Sequence, residues 1–149
     1  MRRSGWRAAL VAGLLAVMSA APAGAASTKT FFAILSSAQE TPPTTSNGIG
    51  AGLFTFDERS KTLCYAISYS RLDDNETGAN IRGPAAALSP DPAPIIFTLV
   101  AGNPKNGCVG PIVSGKQKKQ LKQGLFYVNI QSAKFLGGEI RGQLLPAGR

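Results

Sequence analysis

Two short stretches near the C-terminus decide the fold: Tyr127-Val-Asn-Ile-Gln-Ser132 and, after a brief spacer, Gly137-Gly-Glu-Ile-Arg-Gly-Gln-Leu144. In the first, Phe126, Val128 and Ile130 alternate with Tyr127, Asn129 and Gln131. Successive side chains of a strand point to opposite faces, so this alternation predicts a strand with one apolar and one polar face. Ile140 and Leu144 anchor the second stretch as an adjacent strand.

Strand signals continue outward from this pair. Thr30-Phe-Phe-Ala-Ile-Leu35, Leu53-Phe-Thr-Phe56 and Ile95-Ile-Phe-Thr-Leu-Val100 are compact apolar runs, and Leu63, Tyr65, Ile67 and Tyr69 recur at period two. Ala79-Asn-Ile-Arg82 is a short extended piece stopped by Gly83-Pro84. Between them lie breakers: Pro42-Pro43, a hairpin loop at 57–61, an acidic loop at 72–78, and turn chemistry at Gly102-Asn-Pro104 and Asn106-Gly107. Residues 116–124 offer no more than a helical turn with little amphipathic support. Many short strands separated by Gly, Pro and Asn predict an all-β antiparallel sandwich or barrel.

The first 25 residues read as a cleaved targeting segment. Arg2, Arg3 and Arg7 precede a run of small and apolar residues, and Ala23-Gly-Ala25 supplies a small-residue cleavage site. The apolar run falls short of the roughly 20 residues that span a bilayer, so no transmembrane segment is expected after cleavage. Residues 26–149 then form one domain, exported to the periplasm or beyond the cell. That portion keeps 13 basic residues against 8 acidic ones, a net charge of about +5. Much of the excess sits at Lys116, Lys118, Lys119 and Lys122. Such a cluster is a patch for an anionic envelope polymer or, more blandly, a solvated loop or edge strand. Few aromatics interleave with it, which argues against nucleic acid.

Cys64 and Cys108 form an even pair in an exported chain, which suggests one disulfide; two buried thiols or a metal pair are the alternatives. The spacing lacks the CxxC form of zinc and redox sites. The 149 residues contain no histidine, which removes the usual base of serine hydrolases and the commonest transition-metal ligand. Asp73, Asp74 and Glu76 lack the ligand spacing of an EF-hand, and a solvated turn is the simpler reading. No cofactor and no metal are expected.

Phe32-Ala33 with Leu35-Ser36, Ala38-Gln-Glu40, Pro42-Pro43, Ala79-Asn-Ile-Arg-Gly-Pro-Ala85, Gly124-Leu-Phe-Tyr-Val-Asn-Ile130 and Gly137-Gly-Glu-Ile-Arg-Gly-Gln-Leu144 occur in that order. Together they resemble the CHRD family, the domain named after chordin. The resemblance implies a Greek-key β-sandwich, similar in outline to copper/zinc superoxide dismutase. It does not imply an enzyme, because a fold carries no activity by itself. Family members commonly carry histidine at the positions of Asn80, Arg82 and Gln131, so any histidine-based metal or redox chemistry of relatives is expected to be absent here.

Asn80 and Arg82 lie two apart and share a strand face. If Gln131 lies on a neighbouring strand, the three make a polar patch, with Glu139 or Glu40 as a carboxylate partner for Arg82. Such a patch suits a small anion or a carbohydrate-like ligand. The plainer possibility is that these groups satisfy one another and nearby backbone. The expected function is therefore a non-enzymatic exported binding or interaction module for a protein or anionic envelope polymer. A metal-associated envelope protein and a degenerate dismutase-like enzyme are the rivals.

Overall fold

In the computed structural model, residues 27–90 and 92–148 are described, and their strands form one antiparallel sheet folded on itself. The strands are β1 (Thr28–Ser36), β2 (Ile49–Asp57), β3 (Thr62–Ser70), β4 (Glu76–Arg82), β5 (Ile95–Thr98), β6 (Lys105–Val109), β7 (Tyr127–Ser132), β8 (Ile140–Gln143) and the two-residue β9 (Leu145–Pro146). One helix, α1 (Gly115–Lys122), precedes β7. The spatial order is β5-β4-β7-β8-β1-β2-β3-β6, with β9 also on β1. The chain leaves β3 at one end of the order and enters β4 near the other, where it pairs with β7. That crossing makes a sandwich of two halves, β5-β4-β7-β8 against β1-β2-β3-β6, as the alternating apolar pattern predicts.

The two halves meet where β8 pairs with β1 at a single position, Ser36 opposite Arg141. Gly142 makes this seam possible. A β-carbon there would stand 2.5 Å from the carbonyl oxygen of Ile34, a backbone atom that cannot swing away. The core between the halves is filled by Phe31 and Leu35 of β1, Phe54 and Phe56 of β2, Leu63 and Ile67 of β3, Ile81 of β4, Val128 and Ile130 of β7, and Ile140 of β8, all buried. The hairpin between β2 and β3 is closed by Asp57, whose carboxylate accepts from the amides of Arg59 at 2.7 Å and Ser60 at 3.1 Å. Those bonds hold the Asp57 carboxyl below its ordinary range.

Three local expectations need correction. Asn106-Gly107 reads as a turn but lies inside β6, whose pairing with β3 runs from Leu63 opposite Val109 to Ile67 opposite Lys105. Cys64 and Cys108 face each other in that register and form a disulfide, which fits an oxidising compartment. The strand β4 starts at Glu76, inside the expected acidic loop, because pairing with β7 extends to Glu76 opposite Ser132. The lysine cluster is neither loop nor edge strand: Lys116, Lys118, Lys119 and Lys122 ride on α1. Ser114 caps this helix by accepting from Gln117 N, Leu121 is fully buried, and Lys119 and Lys122 lie in the last turn, where the exposed carbonyls favour cations. The expected targeting segment lies outside the described residues. Among the described residues, no helix is long and apolar enough to cross a membrane.

Candidate functional site

The polar face of β7 decides what lies beneath the loops. Val128 and Ile130 point into the sandwich, as the pattern requires, yet Tyr127 and Asn129 on the opposite face are each only 2% exposed. The same holds on β8, where Ile140 faces the core while Arg141 and Gln143 are buried on the other side. Pairing explains the grouping. Asn129 stands opposite Asn80 on one neighbour and Arg141 on the other, and Tyr127 stands opposite Arg82 and Gln143. Directly opposed residues of antiparallel strands share a face, so these strands build a polar layer outside the core. Residues 40–46, 83–90 and 92–94 cover it. Gln143 Nε2, for instance, donates to the carbonyls of Ala85 at 2.8 Å and Gly124 at 2.7 Å.

A cavity of about 280 Å³ opens within this layer. Glu40, Arg82, Tyr127, Asn129 and Arg141 line it, with Pro42, Phe135 and Gly138 among its other walls. Glu40 arrives from the turn after β1 and is 7% exposed. Its Oε1 accepts from Asn129 Nδ2 at 2.8 Å. Burial pushes its carboxyl up to about 7, against the opposing pull of the Arg141 and Arg82 charges and the Asn129 hydrogen bond. Gly138 permits the arrangement: its φ is +146°, and a β-carbon there would fall 2.1 Å from Asn129 Nδ2 and 2.6 Å from Glu40 Oε1.

The two arginines are held in different ways. The Arg141 guanidinium lies 3.6 Å above the centre of the Tyr127 ring, and its nitrogens make long contacts of 3.3–3.5 Å to Ala86 O, Thr41 Oγ1 and Ser89 O. Stacking on an aromatic face fixes a guanidinium while leaving its in-plane donors for other partners. Arg82 Nη1 donates to Ala93 O at 3.1 Å, while its Nε is buried with no acceptor among the described residues. Tyr127 Oη in turn accepts from Ala93 N at 3.2 Å, tying the covering segment to β7.

The four residues singled out from sequence separate into three places. Asn80 and Gln131 do meet, the Asn80 amide donating to Gln131 Oε1 at 3.2 Å, and Gln131 Nε2 also donates to Leu136 O at 2.9 Å. Arg82 turns instead into the cavity with Glu40. Glu139 joins neither group. It is completely buried, and its Oε1 accepts from Ser46 Oγ and from the Asp73 amide. Asn80, Arg82, Gln131 and Glu139 therefore do not converge on one spot in this chain. Asn129, Tyr127 and Arg141 were missed, although their period-two spacing with Gln131 and Gln143 was the available signal.

Several other charged groups are engaged elsewhere. Lys105 is fully buried and satisfied three times, by Glu76, by Val100 O at 3.0 Å and by Gly102 O at 2.8 Å. Glu76 also accepts from the Tyr69 hydroxyl, and burial together with that bond raises the Tyr69 hydroxyl well above its ordinary range. Asp73 pairs with Lys134 at 2.6 Å. Glu76 and Asp73 are thus engaged with lysines, and no group of three His, Cys, Asp or Glu side chains placed to hold a metal ion occurs among the described residues. Lys122 on α1 pairs with Glu58, which lies beside the start of β1, whereas Glu40 follows its far end. None of the four α1 lysines lines the cavity.

Among comparisons with known proteins, the family model for the CHRD domain matches residues 31–144. No curated protein matches the chain, and no solved structure does either.

Proposed function

The chain belongs to the CHRD domain family, and from that premise we propose that it is an exported, non-enzymatic binding module that holds a small anionic group in the Glu40 cavity. The observation that carries this reading is the pair of guanidinium groups, Arg82 and Arg141, lining one cavity with a single carboxyl among its described walls. Two forks of donors against one acid leave the cavity net positive, the arrangement that recognises carboxylates and related oxyanions. Glu40 is spent on positioning: its hydrogen bond to Asn129 holds that side chain in place. With no histidine in the chain, no imidazole base is at hand, and the Glu40 carboxyl takes a positioning role in this reading. The disulfide supports an oxidising destination, the periplasm or the cell exterior.

The test is a thermal-shift titration of the purified protein with sodium acetate at constant ionic strength. Wild type is expected to gain stability with millimolar acetate, and Arg82→Gln to lose that gain. A wild-type Tm indifferent to acetate and to larger carboxylates would remove the anion reading.

A further inference from the structure

Donors and acceptors in the cavity are unevenly used. Arg82 Nε lacks an acceptor among the described residues, and Asn129 Oδ1 lacks a donor among them, although both atoms are buried. Asn129 lines the cavity and is 2% exposed, so its oxygen is a built feature and not a surface accident. Turning the amide does not cure the deficit. Nδ2 already serves Glu40 Oε1, and exchanging the two atoms would set oxygen against oxygen whenever Glu40 is ionised. Buried polar atoms in native proteins are nearly always paired. An orphan donor and an orphan acceptor on two residues that line one cavity therefore point to an occupant that brings the complement of both.

A bare anion brings acceptors only. It would answer Arg82 and Arg141 but leave Asn129 Oδ1 facing further negative charge. A second cation, such as an ammonium group, would meet two guanidinium groups in the same small space. A hydroxyl is neutral, donates to Oδ1, and can either donate to or accept from Glu40. Phe135 and Pro42 supply apolar wall for ring carbons. We propose that the cavity takes a hydroxylated carboxylate of the sugar-acid type, its carboxylate on Arg82 and Arg141 and a hydroxyl donating to Asn129 Oδ1. This rests on the anion reading above and names the ligand class for the same site.

Calorimetric titration of the full purified protein with D-glucuronate, acetate and D-glucose tests it. Glucuronate is expected to bind at least tenfold more tightly than acetate, with glucose weaker than either. Equal affinity for acetate and glucuronate overturns the hydroxyl contact while the anion reading stands. Glucose binding as tightly as glucuronate overturns the anion reading itself, and binding of none of the three overturns both. Arg82→Gln places the site: a loss of tenfold or more in glucuronate affinity is expected, and an unchanged affinity puts any binding elsewhere and sinks the proposal. Should that variant fold poorly, Arg82→Lys keeps the charge but loses the planar fork, and a severalfold weakening is expected from it.

Discussion

At the scale of single residues, Glu40 and Lys105 show two ways of burying a charge. Lys105 is surrounded by acceptors, so removing it strands the Glu76 carboxylate in a buried site with only the Tyr69 hydroxyl. Lys105→Ala is expected to cost about 3–5 kcal/mol in urea unfolding, the usual penalty for breaking a buried pair from one side. Glu40 is under-compensated instead, and its raised carboxyl has a defined sign. The folded state holds a proton that the unfolded chain releases near the ordinary value of 4.5 and that the folded chain keeps until about 7. Stability from this group is therefore greatest below pH 4.5 and is lost as pH rises through 7, on the order of 3 kcal/mol in all. A Tm–pH series should show wild type falling between pH 5 and 8 relative to Glu40→Gln; parallel curves would refute it. Gly138→Ala drives a β-carbon into both Asn129 and Glu40, and we expect it to abolish the acetate-induced thermal shift even if the protein still folds.

At the scale of elements, the period-two pattern of β7 was legible because Val128 and Ile130 obey it strictly. What that pattern does not carry is the cover on the other face. Asn129 and Arg141 look solvent-facing from spacing alone, and only the crossing of the chain from β3 to β4 and the return of residues 40–46, 83–90 and 92–94 bury them. The same limit hid β6: Asn106-Gly107 has strong turn chemistry, yet pairing with β3 and a cross-strand disulfide override it. It blurred α1 too: residues 116–124 read as no more than a helical turn, since a helix of eight residues with one buried leucine shows almost no periodic signal. That helix can be tested directly. Leu121→Ala is expected to destabilise by about 2–5 kcal/mol through the cavity it leaves. Replacing Lys118 and Lys119 with Glu should leave glucuronate affinity unchanged, because neither lysine lines the cavity, while weakening any salt-sensitive capture of an anionic polymer.

At the scale of the molecule, the disulfide ties β3 to β6 across 44 residues of chain. In the loop-entropy view this closure contributes about 4 kcal/mol, so reduction or a Cys64→Ser, Cys108→Ser double replacement should lower the urea midpoint by a corresponding amount. The sequence motifs around Glu40, Arg82 and Gly138 were each visible, but lie as much as 98 positions apart, and their convergence follows from the strand order alone. Glu40 belongs to the half built on β1, whereas Arg82, Asn129 and Arg141 belong to β4, β7 and β8, beyond the seam that Gly142 permits. An occupant of the cavity would thus act as a noncovalent staple between halves whose strands pair at only a few positions of β1 with β8 and β9. At a hundred times its dissociation constant it would add about 2.7 kcal/mol to the folded state by mass action. Where proteases attack the unfolded chain, the domain would then outlast its empty form wherever its ligand is plentiful, coupling its lifetime to supply.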